Sequence, residues 1–279
     1  MKHVGQILTS VGAAATLLLM ASVVQAQTMP GLPAEIQEAG KIRIGVKCDS
    51  PPFGASGPDG EPVGIEVEMA KKIGEYAFGA PDGAELTCVT SESRIPSLIG
   101  GKIDLILATL GRFPEREEVI DFSNIYFWGT SNVIVPEDSP VQSLADLENE
   151  TVLIVKGASQ IGWLEENIPD IQLLQLNTTA DGIQALRQGR AAGFVGDGGL
   201  IYTLASNYDE LRVIEEGIDP GVNGIGLRKN EPELKTFVNA ALDRLREEGF
   251  YEEVIPQFVD EPAVAEVMTR GFLEEPPQS

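Results

Sequence analysis

Apolar positions along the chain recur at two spacings, and their alternation predicts strands and helices in turn. Ile42–Lys47 is a compact run rich in β-branched residues. After Gly64, residues Ile65, Met69 and Ile73 recur four apart, which puts them on one helical face. Glu85–Val89 reads as strand, Ile95–Ile99 as a short helix and Ile103–Leu107 as strand. This β-α-β-α-β order predicts a parallel sheet with helices on its faces. A second series follows Gly129: strands at Asn132–Val135, Val152–Val155, Ile171–Leu176 and Ala192–Gly196, a helix turn at Leu144–Leu147, and helices at Ser159–Asn167, Ala180–Gln188 and Gly199–Ser206. Gly224–Arg228 is strand-like. The clearest helix is Glu231–Glu248, where Leu234, Phe237, Val238, Ala241, Leu242 and Leu245 hold the i, i+3, i+4 spacing and Gly249 stops it.

The first residues do not belong to this pattern. Lys2 and His3 precede an apolar stretch from Val11 to Val24, and Val24-Gln25-Ala26 supplies small residues for cleavage. Residues 1–26 therefore read as an export signal cleaved after Ala26, too short in its apolar part for a spanning helix of roughly 20 residues. No Cys stands at the cleavage point, so no lipid anchor is expected there. Of 279 residues, 253 then remain, a length that suits two lobes. The formal charge of −23 becomes −24 without Lys2. Such acidity argues against nucleic acid and anionic membranes as partners.

Cys48 and Cys88 each end a β-like run, in a compartment that permits disulfides. A bridge is possible if those strands are neighbours. Many strand neighbours are out of register for a bridge, so the reading favours two buried thiols. Two cysteines and a single His within the signal offer no metal site.

Seven stretches, in order, carry a family resemblance: GKIRIGVKCDSPPFG, VGIEVEMAKKIG, SRIPSLIGGKIDLILATL, PEREEVIDFSNIYF, SLADLENETVLIVKGASQ, ALRQGRAAGFVGDGGL and GIGLRKNEPELKTFVNAALDRLREEGFYEEV. From about Lys41 to Phe258 the chain resembles the family 3 bacterial extracellular solute-binding proteins, the amino-acid capture subunits of ABC importers. The resemblance implies a type II periplasmic-binding-protein fold: two α/β lobes, a two-segment hinge and a ligand cleft between the lobes. It implies lobe 1 from residues 27–129 and 219–270 and lobe 2 from 130–218; the prolines near the chain's end add a disordered tail at 271–279. The hinge segments fall near Trp128–Ser131 and Ile218–Asn223, both of which contain glycine.

Arg116 follows a predicted strand end. Its planar guanidinium can grip a carboxylate with two parallel bonds. The resemblance makes it the holder of the ligand's α-carboxylate; the plain alternative is a surface Arg paired with Glu117 or Glu118. Asp197, at another strand end, is implied to accept the α-ammonium, and could instead cap the following helix. Thr109 and Gly111 offer backbone groups, with Gly111 standing where many family members carry a hydroxyl residue. Gly157, Ala158, Ser159 and Gln160 lie at an expected helix start, whose free N–H groups suit an anion, and Ser159 is also a good plain N-cap. Lys47, Arg94 and Ser91 match positions that some acidic-amino-acid binders use, and Arg112 adds a further cation. These favour an aspartate- or glutamate-like ligand over a neutral polar one. Ser50 and Ser91 stand where basic-ligand binders carry aromatics. Thr179 replaces a His of some glutamate binders.

The expected protein is thus a monomeric periplasmic capture subunit with no cofactor, delivering its amino acid to permease subunits. A micromolar affinity needs about 8 kcal/mol, which a handful of charge-assisted bonds of roughly 1.5–3 kcal/mol each can supply. The rivals are a cyclohexadienyl dehydratase-like enzyme on the same fold, which needs a positioned proton donor, and a stand-alone sensor.

Overall fold

The structure is a computed structural model and describes residues 29–80 and 82–277. The expected export signal lies outside them. Among the described residues no helix is long and apolar enough to cross a membrane.

The main sheet runs Ala84–Cys88, Ile42–Val46, Leu105–Leu107, Ile218–Leu227, Asp121–Pro136, Gly193–Asp197, Thr151–Val155, Gln172–Leu176. The three strands at the first edge are parallel, as are the three at the other edge. Between them stand two long strands, Asp121–Pro136 and Ile218–Leu227, antiparallel to each other and to their neighbours. The sheet is therefore mixed, where the β-α-β order predicted only its parallel parts. The long strands pair Ile218 with Ser131, Gly221 with Gly129 and Val222 with Trp128, with register shifts along the way. Both expected hinge segments thus lie side by side on one two-stranded ribbon. Its bulges concentrate bending there.

Buried apolar side chains divide on either side of this ribbon. Two clusters draw on residues 32–127 and 225–272. Two others draw only on residues 133–218. The helix Pro232–Glu247 shows why the pattern was readable: all six of its predicted core residues are buried at 0% exposure. Residues 271–273, expected in the tail, are ordered. They complete the helix Pro262–Leu273, and Phe272 stacks on Tyr251 at 4.6 Å, inside the first core. Apolar residues spaced along that helix supply the burial that makes it fold.

The cysteines are also corrected: Cys48 and Cys88 form a disulfide, with Cα atoms 5.6 Å apart. The parallel register sets Val46 opposite Cys88. Cys48, two residues past that point, turns back within reach. The bridge ties positions 40 apart in sequence, so replacing both cysteines by Ser should lower the unfolding free energy by about 4 kcal/mol. Urea unfolding of the double variant against wild type measures this. An unchanged midpoint would mean that the bridge does not restrain the unfolded chain.

Candidate functional site

The strand Leu105–Leu107 delivers the chain into a bend at Ala108–Gly111. Thr109 sits there with φ 47°, in the left-handed region. Its N–H donates to both carboxylate oxygens of Glu66, each at 3.0 Å. Glu66 also accepts from the Tyr126 hydroxyl. It is 0% exposed, in the first turn of the helix Ile65–Phe78. Burial pushes its carboxyl up to about 7, against the pull of Tyr126, Thr109 and Arg94.

Two guanidinium groups close around this bend. Arg94, 1% exposed, donates through Nη1 to the carbonyls of Ala108 and Thr109 and through Nη2 to Gly157 O at 3.3 Å. Arg116, on the short helix Pro114–Val119, donates through Nη1 to Gly111 O at 2.7 Å and through Nη2 to Gly157 O at 3.1 Å. Gly157 follows the strand Thr151–Val155 of the other half, so both arginines bridge the halves. Burial lowers the affinity of both for protons, Arg94 to about 9. Arg116 does not pair with Glu117; that carboxylate takes the half-exposed Arg112 instead. Arg112 is thus turned to a surface ion pair and adds no free cation to the cleft.

Facing these cations, Asp197 ends the strand Gly193–Asp197. Its side chain makes no capping bond to the helix Gly198–Asn207, which sets aside the plain capping role. Its Oδ1 accepts from Gln160 Nε2 at 3.1 Å, and the same amide nitrogen reaches Ser131 Oγ at 2.8 Å. Burial raises its proton affinity, opposed by Arg94, Gln160, Lys47 and Arg116. Three cations from one half therefore act on one carboxylate of the other.

A cavity of about 170 Å³ lies at this meeting point. Gly111, Ser159 and Asp197 line it, with Ser131, Gln160 and Asn223 as further polar groups and Phe113, Phe127 and Trp163 as aromatic walls. The remaining expected site residues surround it at a distance. Ala158 packs against the second core. The helix starts at Ile161, later than expected, so Ser159 does not sit at its cap.

Lys47 and Ser91 lie together, Nζ to Oγ at 3.4 Å, but the Lys47 ammonium is 2.6 Å from Asp49 Oδ1 and 3% exposed. Its charge is answered by the chain itself. Arg94 likewise spends three of its bonds on backbone carbonyls, although its buried Nε has no partner. Glu66, Ser131 and Trp163 are groups around the cavity that the sequence reading passed over, and Gln160, read there only for its backbone, contributes its side-chain amide. Glu66 had one visible sign: it stands next to Ile65 in an otherwise apolar helix row, four before Ala70.

With this geometry in hand, the comparisons with known proteins are specific. The profile described as bacterial extracellular solute-binding proteins, family 3, matches residues 42–261. The chain belongs to that family, and its fold is that of the type II periplasmic binding proteins. It is 30% identical over 230 residues to the ABC transporter glutamine-binding protein GlnH of Bacillus subtilis, covering 82% of this chain and 84% of the relative. It is 29% identical over 262 residues to the glutamate-binding protein GluB of Corynebacterium efficiens, covering 88% of each. A solved solute receptor for L-cysteine of Neisseria gonorrhoeae superposes with a TM-score of 0.77 at 28% identity, covering 83% of this chain and 97% of that one. Both curated relatives are named as binding proteins and not as enzymes.

Proposed function

We propose that this protein captures an α-amino acid outside the cytoplasmic membrane and delivers it to the permease of an ABC importer. The observation that carries this reading is the approach of Arg116 and Asp197 from different halves of the molecule, Arg116 bonded across to Gly157 O and Asp197 on the wall of the cavity within reach of its charge. A zwitterion is the natural filling for such a pair. Its carboxylate takes the Arg116 fork in place of the Gly157 carbonyl, and its ammonium takes Asp197. A ligand touching both halves binds the closed arrangement better and shifts the population toward it. Residues 27–129 with 219–270 form one moving lobe and 130–218 the other, turning about the glycines of the long ribbon. Export through residues 1–26, the monomeric state and the permease partner belong to the same reading.

For the ligand's side chain, the geometry favours a neutral polar group over the acidic one that the cations suggested. Lys47 is neutralised by Asp49, Arg112 by Glu117, and Arg94 is committed to carbonyls. The described residues lining the cavity offer amides and hydroxyls, and Asp197 as their one charged group. A second reading, an acidic amino acid, keeps support from the unpartnered Nε of Arg94. Calorimetry with glutamine, asparagine, glutamate and aspartate decides. We expect the amides to bind at least tenfold more tightly than the acids, a difference of about 1.4 kcal/mol. A preference for glutamate or aspartate would return Lys47 and Arg94 to the ligand. Incubation with prephenate or arogenate should yield no product; turnover would replace capture by catalysis.

A further inference from the structure

The helix Pro262–Leu273 begins just past residue 261, where the match to the family profile ends. It is fastened to three parts of the molecule. One face belongs to the first core, where Phe272 is buried and stacks on Tyr251. Its last turn lies on the ribbon. The backbone at Gly271 comes so near that a Cβ built there would lie 2.4 Å from Trp128 O, and Trp128 Nε1 donates to Glu274 O at 2.8 Å. The third attachment crosses to the other half. Buried Met268 lies against Gly199, the second residue of the helix that Asp197 precedes. A Cβ built on Gly199 would lie 3.2 Å from Met268 Sδ and Cε, and 3.1 Å from the ring of Phe53, a buried residue of the first core. The φ of Gly199 is outside the left-handed region, so its conformation does not demand glycine. The missing side chain there provides close approach.

We infer that this helix is a strap across the hinge, and that Met268 and Gly199 are positioning residues for capture, their contact holding the second lobe against the first. The inference rests on the two-lobed capture reading. The bonds of Arg94 and Arg116 to Gly157 O mark the arrangement described as the one with the halves together. A rotation about the ribbon that parts Arg116 from Gly157 also carries Gly199 away from Met268 and Phe53, and uncovers apolar surface to water. The contact therefore favours closure, and a ligand that binds the closed form gains affinity from it. The cavity wall is tied to the same strap. Phe127, which lines the cavity, packs on Phe53 at 5.3 Å and on Phe272 at 4.6 Å.

The test uses the intact protein and two variants. Gly199→Leu puts a side chain between the lobes, and Met268→Ala removes the strap's side of the contact. Calorimetry with L-glutamine and L-glutamate reads the amino acid that wild type binds. Its dissociation constant is expected to rise about tenfold in Gly199→Leu and about threefold in Met268→Ala. Urea unfolding without ligand separates this from damage to the fold. Leu favours a helix over Gly, so the midpoint of Gly199→Leu should not fall. A Met268 that only filled the core would lower the midpoint and leave the dissociation constant unchanged. A dissociation constant within about twofold of wild type in a folded Gly199→Leu overturns the strap and leaves the amino-acid reading intact. If that variant does not fold, an unchanged dissociation constant in Met268→Ala overturns it. Should neither amino acid bind wild type, the amino-acid reading falls by itself and small-angle scattering decides the strap. A radius of gyration no larger in Gly199→Leu, or in Met268→Ala if the first does not fold, than in wild type then overturns it.

Discussion

Arg116→Ala is expected to weaken every amino-acid ligand about 100-fold, a loss of about 3 kcal/mol. The side chain offers a two-pronged donor at the point where the two halves meet, through Nη1 to Gly111 O and Nη2 to Gly157 O. Alanine removes the fork and leaves a buried ligand carboxylate with fewer donors. Arg116→Lys should recover only part of the loss, since an ammonium is a point charge and cannot make two parallel bonds. Isothermal calorimetry reads the binding, and urea unfolding of the ligand-free variant checks that the fold is intact. A dissociation constant within twofold of wild type would take Arg116 out of the site.

Glu66→Ala should cost about 4 kcal/mol of stability, the range for removing one member of a buried charged network. The substitution leaves the Tyr126 hydroxyl and the Thr109 N–H without their acceptor and takes a nearby negative charge from Arg94. It also frees Thr109 from its left-handed bend, so ligand affinity should drop as well. Glu66→Gln keeps an acceptor oxygen and should fold.

The wild-type carboxyl also predicts a pH dependence. Its folded value of about 7 stands above the ordinary 4.5, so the folded form holds the proton more tightly. The stabilisation is complete below about 4.5 and is lost as pH rises toward 7, on the order of 3 kcal/mol across that window. Asp197 adds to this with the same sign. Chemical unfolding at pH 4.5 and pH 7 should show the decline, and Glu66→Gln should flatten it. A wild-type stability that rises with pH over this range would mean that Glu66 stays ionised in the folded protein.

Much of this molecule is legible along the chain because its information is local. The Pro232–Glu247 helix is written in the spacing of six apolar residues, and the strands before Cys48, Cys88 and Asp197 in short β-branched or apolar runs. Arg116 and Asp197, which the fold brings toward each other from its two halves, stood out along the chain for a related reason. Each lies inside a stretch whose order matches a known family. Glu66, Gln160 and the Cys48–Cys88 bridge were not legible in the same way. Each depends on which element lies beside which, and a carboxylate at a helix start looks the same whether it faces water or a backbone bend.

The amino-acid sequence by itself determined the alternation of strands and helices, the positions of the two glycine-bearing crossings, and the residue types able to grip a zwitterion. Tertiary structure decided what each of those charges meets. Lys47, Arg94 and Arg112 are equal cations when read in a line. Packing sets Asp49 against the first, carbonyls against the second and Glu117 against the third. The reason is physical: charge is a property of one side chain, whereas pairing requires a partner within about 4 Å, and only the folded chain determines what that partner is.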